Sequence, residues 1–240
     1  MVHKTAARTL TFSIQDYVKS IYDLTAAGKP ATTTAIARRL NVSPASVTGM
    51  LQKLASAKPP LVSYKKRQGA RLTESGERAA LEVIRHHRLL ETWLVHTLGY
   101  SWDDVHGEAE RLEHALSEEL EARISRALGN PARDPHGEPI PTSELVMPRD
   151  ESVPLSALRA GQEAIVRRVQ PHATGALPRL MSMGIQIGSR VKVIGISSYD
   201  RLTTLRVQSK RRNVTLGPAL TGQVYVETID SKIKGTRARE

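Results

Sequence analysis

The sequence predicts an α+β multidomain chain: a winged helix-turn-helix, then a helical domain, then a small C-terminal β-barrel. Three observations carry that expectation. Apolar residues recur at helical spacing through most of the stretch up to about Leu128, whereas residues 152–229 change to short strand-like runs separated by glycines. Proline-rich residues 129–151 part the two patterns. Charge is partitioned as well: residues 1–80 carry a formal +9, residues 81–150 carry −7 and residues 151–240 carry +9, within a net +11 over 240 residues.

Taken in order, Ile14, Tyr17, Val18, Ile21, Tyr22 and Leu24 form the apolar face of a first helix ending at Gly28-Lys29-Pro30. A second helix carries Ala35, Ile36, Ala37 and Leu40 and stops at Asn41. Ser43 as N-cap and Pro44 at the first helical position open a third, with Val47, Met50, Leu51 and Leu54 on one face. Leu61–Tyr64 and Ala70–Thr73, joined by the basic turn Lys65-Lys66-Arg67-Gln68-Gly69, read as the wing. A helix follows from Glu74 to about His96, with Leu81, Ile84, Leu89, Leu90, Trp93 and Leu94 as its apolar side. Asp103-Asp104 precedes one long helix from Val105 to about Leu128, closed by Gly129-Asn130-Pro131. Strands are expected at Ala164–Val166, Arg190–Ile194, Leu205–Val207 and Gln223–Val226, and a disordered tail at 230–240.

Composition narrows the chemistry. Zero cysteines exclude disulfides, thiolate metal sites and thiol catalysis. No apolar stretch reaches the roughly 18 residues of a membrane-spanning helix, and the first residues lack the apolar core of a secretory signal, so a cytoplasmic location without membrane association is expected. A basic segment suits a polyanion, and an acidic segment holding most of the histidines suits a cation.

The most informative side chains are His106, Glu110, Glu113 and His114. On one continuous helix they fall within an arc of about 100°, next to a face carrying Ala109, Leu112, Leu116 and Leu120. Two carboxylates and two imidazoles gathered beside a core repel or dehydrate one another unless a cation joins them. His87 and Glu91, spaced i to i+4, offer a second ligand pair; His86, His96 and His136 have no comparable partners in the sequence. Open His/Glu sites also activate water, so a metallohydrolase is a competing reading, although there is no HExxH pair, no Gly-x-Ser-x-Gly elbow and no Walker-type loop. In the basic block, Ser43, Ala45, Ser46, Thr48 and Gly49 place small and hydroxyl side chains at a helix start suited to close approach in a major groove. Lys53, Lys65, Lys66, Arg67 and Arg71 are placed to meet phosphates of double-stranded DNA. A winged-helix regulator indifferent to metals remains a third reading.

These residues also resemble the diphtheria-toxin-repressor family of metal-dependent bacterial transcriptional regulators, over about residues 12–229. The resemblance rests on Asp16-Tyr17 before Ile21-Tyr22, on Val47-Thr48 with Leu51 and Leu54, and on Leu72-Thr73-Glu74-Ser75-Gly76. It continues in His87-Arg88-Leu89-Leu90-Glu91, in Glu110-Arg111-Leu112-Glu113-His114 and in Asp134 through Pro141. It implies an activating metal site of Asp16, Glu110, Glu113 and His114, and an ancillary site of His87, Glu91 and His106, with His87 able to serve either. It also implies a homodimer through residues 81–128, a palindromic operator and an SH3-like barrel; Met183–Ser189 looks like the ferrous-transport accessory domain. The domains then run as 1–75 (DNA-binding), 76–141 (metal-binding and dimerisation), 142–151 (linker), 152–229 (barrel) and 230–240 (tail). Iron sensors of the family commonly carry Met and Cys where this chain has Asp16 and Glu110, which implies Mn(II) as the cofactor, with Fe(II) as the alternative and repression as the expected output. Two departures stand out. Lys19 occupies a position where manganese sensors often have Glu, and the stretch Pro171–Thr174 lacks a clear match to the Glu and Gln that the barrel lends to the ancillary site in iron sensors.

Overall fold

A computed structural model of the chain describes residues 10–102, 104–170, 176–208 and 212–229. The tail expected at 230–240, Asp103 and the stretch Pro171–Thr174 lie outside the described residues. The chain divides into two compact units, one of Met1–Trp93, Gly107–Ala132 and Ile140–Pro148, the other of Leu94–His106, Arg133–Pro139 and Arg149–Glu240.

In the first unit, helices α1 (Phe12–Thr25), α2 (Thr33–Leu40) and α3 (Pro44–Ser56) are followed by an antiparallel hairpin, β1 (Val62–Lys65) and β2 (Gly69–Leu72). The expected Asn41 stop and Ser43-Pro44 start are present, and Thr32 adds a cap that the sequence reading did not name. Thr32 accepts from the Ala35 N–H, Asn41 closes α2 in the left-handed conformation, and Ser43 accepts from the Ser46 N–H with Pro44 behind it. Ile21, Ile36, Leu51 and Leu54 are fully buried in one core with Val18, Val47, Val62 and Ala70. Each large side chain removed from water in this way contributes about 1.5–3 kcal/mol. At the wing tip, Gln68 N–H donates to the Lys65 carbonyl, and Arg67 (φ 67°) and Gly69 (φ 96°) turn the chain through left-handed backbone.

Helix α4 (Glu74–Leu98) starts on a Thr73 cap: the Thr73 hydroxyl accepts from the Gly76 N–H and donates to the Pro60 carbonyl. Gly76 lies so close to the backbone leading into β1 that a Cβ there would sit 1.9 Å from the Leu61 carbonyl oxygen. The long helix expected from Val105 to Leu128 is two helices, α5 (Val105–Leu112) and α6 (Glu118–Ala127). Ser117 causes the break, since its hydroxyl accepts from the Leu120 N–H and Glu118, Glu119 and Glu121 follow it in a first turn that favours negative charge. Consequently Glu113 and His114 stand just past the end of α5 and not on a continuous helix face, and while Ala109 and Leu116 are buried, Leu112 and Leu120 are exposed.

The second unit holds a six-stranded antiparallel sheet in the order β3-β8-β4-β5-β6-β7, from β3 (Val153–Pro154), β4 (Glu163–Val169), β5 (Arg190–Ile196), β6 (Thr203–Val207), β7 (Val214–Leu216) and β8 (Val224–Thr228). Its core contains Val166, Val191, Val193, Leu205 and Val226 from alternating strand positions, with α7 (Ala176–Ser182) contributing Leu177 and Leu180. Of these elements β3, β7, α7 and α8 (Pro218–Thr221) carry too few residues to show a period, and pattern reading misses them. The strap 133–139 joins this sheet. Asp134 Oδ1 accepts from the His136 and Glu138 N–H groups, His136 O accepts from Val169 N–H, and Gly137 (φ 84°) passes so close that a Cβ would meet the Arg167 carbonyl at 2.0 Å. Arg168 fastens it further, with its guanidinium on Glu138 (2.8 Å) and Asp150 (3.1 Å) and 3.6 Å above the Tyr225 ring.

Gly76 and Gly49 should therefore respond to alanine with opposite signs. Gly76→Ala must displace either α4 or the Leu61 backbone and should lower unfolding stability by about 1–3 kcal/mol. Gly49→Ala, in α3 with no atom within 4 Å of the added Cβ, should raise it by up to about 1 kcal/mol. Denaturant unfolding of both variants measures the two shifts.

Candidate metal centre and nucleic-acid face

One face of α1 is polar. Gln15, Asp16 and Lys19, preceded by Phe12, recur at spacings of three and four residues beside the apolar Ile14, Tyr17, Val18 and Ile21, and Gln15 is buried with them. This stripe meets the segment 107–114 across a cleft of about 530 Å³, lined also by Ser20, Arg39, Glu110, Glu113 and His114. Asp16, Glu113 and His114 each place a donor atom within 4.8 Å of the others. Glu110 lines the same cleft but is exposed and stands outside that trio.

The state of His114 decides what the trio can do. Its Nδ1 is 2.5 Å from Gln15 Oε1, an oxygen that only accepts, so Nδ1 carries the proton. In the neutral ring the remaining lone pair is then on Nε2, which faces Asp16 Oδ1 at 3.0 Å, with Glu113 Oε1 at 3.8 Å. A lone pair pointed at a carboxylate is repulsive until a proton or a metal cation sits between them. Phe12 stacks on the same imidazole, ring centres 4.9 Å apart and planes 18° from parallel. Two carboxylates and one imidazole, with its tautomer set by an outer hydrogen bond, suit a divalent cation of the harder kind.

Glu113 is 2% exposed and binds on both sides. Lys19 Nζ donates to both of its oxygens at 2.8 Å, and His87 Nδ1 lies 2.5 Å from Oε2. Burial pushes the Glu113 carboxyl up, but His87 and Lys19 outweigh it and hold it below the ordinary range. Burial and the Lys19 charge press the His87 imidazole down, and the Glu91 and Glu113 carboxylates more than reverse this. His87 Nε2 is 3.0 Å from Glu91 Oε1, so the ring bridges two buried carboxylates. His106 is the second residue of α5 and belongs to the second unit. His86, set aside in the sequence for want of partners, is buried with Nε2 3.0 Å from Glu121 Oε2, while Arg85 Nε donates to Glu121 Oε1 at 2.6 Å. The Pro171–Thr174 stretch, where a barrel ligand was sought, is outside the described residues.

The proposed DNA-contacting residues form an exposed surface. Ser43, Ala45, Ser46, Gly49 and Lys53 are exposed along α3 opposite the buried Val47, Leu51 and Leu54, whereas Thr48 is half-buried and its hydroxyl donates to the Pro44 carbonyl. Lys65, Lys66 and Arg67 are exposed at the wing tip; Arg71 is exposed as well, with its guanidinium donating to the Gly28 carbonyl at 2.5 Å.

A winged helix-turn-helix joined to a carboxylate and imidazole cluster defines a DNA-binding regulator of the metal-responsive class. Comparison with known proteins narrows the class. Residues 9–70 match the family described as iron dependent repressor, N-terminal DNA binding domain; residues 73–142 match its metal binding and dimerisation domain; residues 153–228 match the FeoA domain. The iron-dependent repressor IdeR of Mycobacterium tuberculosis is 35% identical over 189 residues, 74% of this chain and 81% of the relative. Among solved structures, a manganese-dependent transcriptional repressor in complex with manganese aligns at TM-score 0.82 and 37% identity, over 90% of this chain and 100% of that one. The apo form of the manganese-activated repressor ScaR aligns at TM-score 0.76 and 32% identity, over 89% and 100%. The chain belongs to the diphtheria-toxin-repressor family of metal-dependent transcriptional regulators, a family of repressors and not of enzymes, and its C-terminal sheet is the SH3-like domain of that family. Among the described residues no helix is long and apolar enough to cross a membrane.

Two predictions follow from the site. Gln15→Leu removes the acceptor that sets the His114 tautomer and should weaken divalent-metal binding about 10–100-fold, read by competition with a chromogenic chelator. Glu121 is pushed up by burial and held lower, on balance, by His86 and Arg85. The stability it contributes is therefore complete above 4.5, its ordinary value, and is lost as pH falls through the depressed folded value. Glu121→Gln should flatten the acid side of the stability profile and cost about 1–3 kcal/mol at neutral pH, measured by unfolding across pH.

Proposed function

We propose that this chain is a manganese-responsive repressor of metal-homeostasis genes, acting in the cytoplasm as a homodimer on a palindromic operator. The carrying observation is the pairing of His114 Nε2 with Asp16 Oδ1 beside Glu113, in which α1 of the DNA-binding segment supplies one donor and the segment after α5 the other two. Asp16, Glu113 and His114 would hold the ion, with Glu110 closing on it from the rim. The bound ion supplies the positive charge that these groups require. Asp16 and His114 then hold α1 against the helical segment and limit its swing, which sets the spacing of two α3 helices across a dimer. The family resemblance implies His87, Glu91 and His106 as the ancillary set.

Carboxylates at both 16 and 110 support Mn(II) over Fe(II). Mn(II) is lowest in the Irving-Williams order and is favoured by oxygen donors and an open coordination sphere, not by raw affinity. The similarity to a manganese-dependent repressor, at higher identity than to IdeR, points the same way. Fe(II) is the second reading because IdeR is iron-dependent and covers most of the chain.

The deciding experiment is an anaerobic gel-shift titration against the DNA upstream of the chain's own gene, with Mn(II), Fe(II), Zn(II) or chelator. Mn(II) should tighten binding about 5–150-fold, the usual range of an allosteric coupling. Glu113→Ala and His114→Ala should each abolish that gain, whereas His106→Ala should only raise the metal dose. Asp16→Met with Glu110→Cys should move activation towards Fe(II). Activation of the native chain by Fe(II) at lower free concentration than Mn(II), with no shift in the double variant, overturns the metal assignment. Separately, replacing Lys65, Lys66 and Arg67 with Ala should weaken binding to all duplexes and reduce the salt slope by about 0.9 per lost phosphate contact.

A further inference from the structure

The cleft beside the Asp16 trio already contains a cation belonging to the chain. Lys19 lies three residues after Asp16 on the same face of α1, and its ammonium is 2.8 Å from each oxygen of Glu113 and 3.2 Å from His87 Nδ1. Two carboxylate oxygens and an imidazole nitrogen converging on one point form a donor set that a divalent ion would accept. The two halves of Glu113 face different groups: Oε1 lies towards His114 at 3.8 Å and Oε2 towards His87 at 2.5 Å. The donors come from two segments, α4 and the stretch after α5, and the ammonium comes from α1, so the charge held among them joins all three.

We propose that Lys19 is a tethered substitute for a second divalent ion. Its ammonium sits against both oxygens of Glu113 beside the Glu113–His87 contact, restricts the cleft to a single exchangeable metal at the Asp16 trio, and fastens α1 to α4 and Glu113 before any metal arrives. A fixed positive charge in that position repels a second ion from the shared carboxylate while leaving Oε1 to serve the first. Lys19 is thus a determinant of how many ions the centre takes, and of how far the metal-free chain is already organised. The metal count rests on the function proposed above; the fastening of α1 does not.

The test uses the full chain as wild type, Lys19→Arg, Lys19→Met and Lys19→Glu, with far-UV spectra to verify folding. Manganese per chain is counted by elemental analysis after equilibrium dialysis, and the bound ions are examined by electron paramagnetic resonance. Lys19→Glu should take one more Mn(II) per chain than wild type and show the broadening of two coupled ions, while Lys19→Arg should keep the wild-type count. Without metal, amide exchange across residues 12–25 should accelerate about tenfold in Lys19→Met and stay near wild type in Lys19→Arg. An unchanged manganese count in Lys19→Glu, or unchanged metal-free exchange in Lys19→Met, overturns the proposal. Absence of manganese binding by the wild type would defeat the proposed function instead, and the metal-free exchange comparison would still decide the role of Lys19.

Discussion

A carboxylate with almost no contact with water must be neutralised by something, and Glu113 is such a group. At 2% exposure it is surrounded by Lys19, His87 and His114, drawn from α1, α4 and its own segment. Leaving a charge of this kind unpaired costs several kcal/mol, so whatever satisfies it also holds those three segments in one arrangement. The DNA-binding helices and the helical segment are coupled through that requirement. With Gln15 holding the His114 proton on Nδ1, Nε2 and Asp16 cannot satisfy each other as neutral imidazole and carboxylate, and a proton or a cation between them is what the pairing lacks.

The DNA-facing surface depends on the same core from the other side. Val47, Leu51 and Leu54 bury one face of α3 in the core it shares with α1, next to α2 and β1 of the wing, which leaves Ala45, Ser46, Gly49 and Lys53 directed outwards. Small side chains lie at the start of that helix, and the charged groups stand further along it and on the wing. A shift of α1 moves both, because α1 packs in the core that sets the direction of α3.

Within the second unit Arg168 has a comparable organising role. A single guanidinium joins the strap through Glu138, the start of the sheet segment through Asp150 and strand β8 through the Tyr225 ring. The Asp134 through Pro139 part of the family motif is thereby explained as structure: the Asp134 carboxylate caps the turn, and Gly137 admits the strand carbonyl that any side chain would exclude.

Much of the fold is written locally. Ser43-Pro44, Asn41 and Thr73 mark helix ends by chemistry confined to four or five residues, and the apolar periods of α1, α3, α4 and the longer strands follow from which face must leave water. The break between α5 and α6 was equally local, signalled by Ser117 before three glutamates; the apolar spacing of Leu112, Leu116 and Leu120 concealed it, and two of those leucines proved exposed. The candidate ligand types were legible because acidic groups and histidines rarely gather beside a core without a cation. Tertiary structure alone decided their states. Gln15 sets the His114 proton across 99 residues of sequence, Lys19 reaches Glu113 across 94, and His86 finds Glu121 on a helix that the sequence had drawn differently. No local pattern encodes such pairs, because the energy of a buried charge depends on which distant side chain the folded backbone brings within 3 Å, and one intervening turn changes the answer.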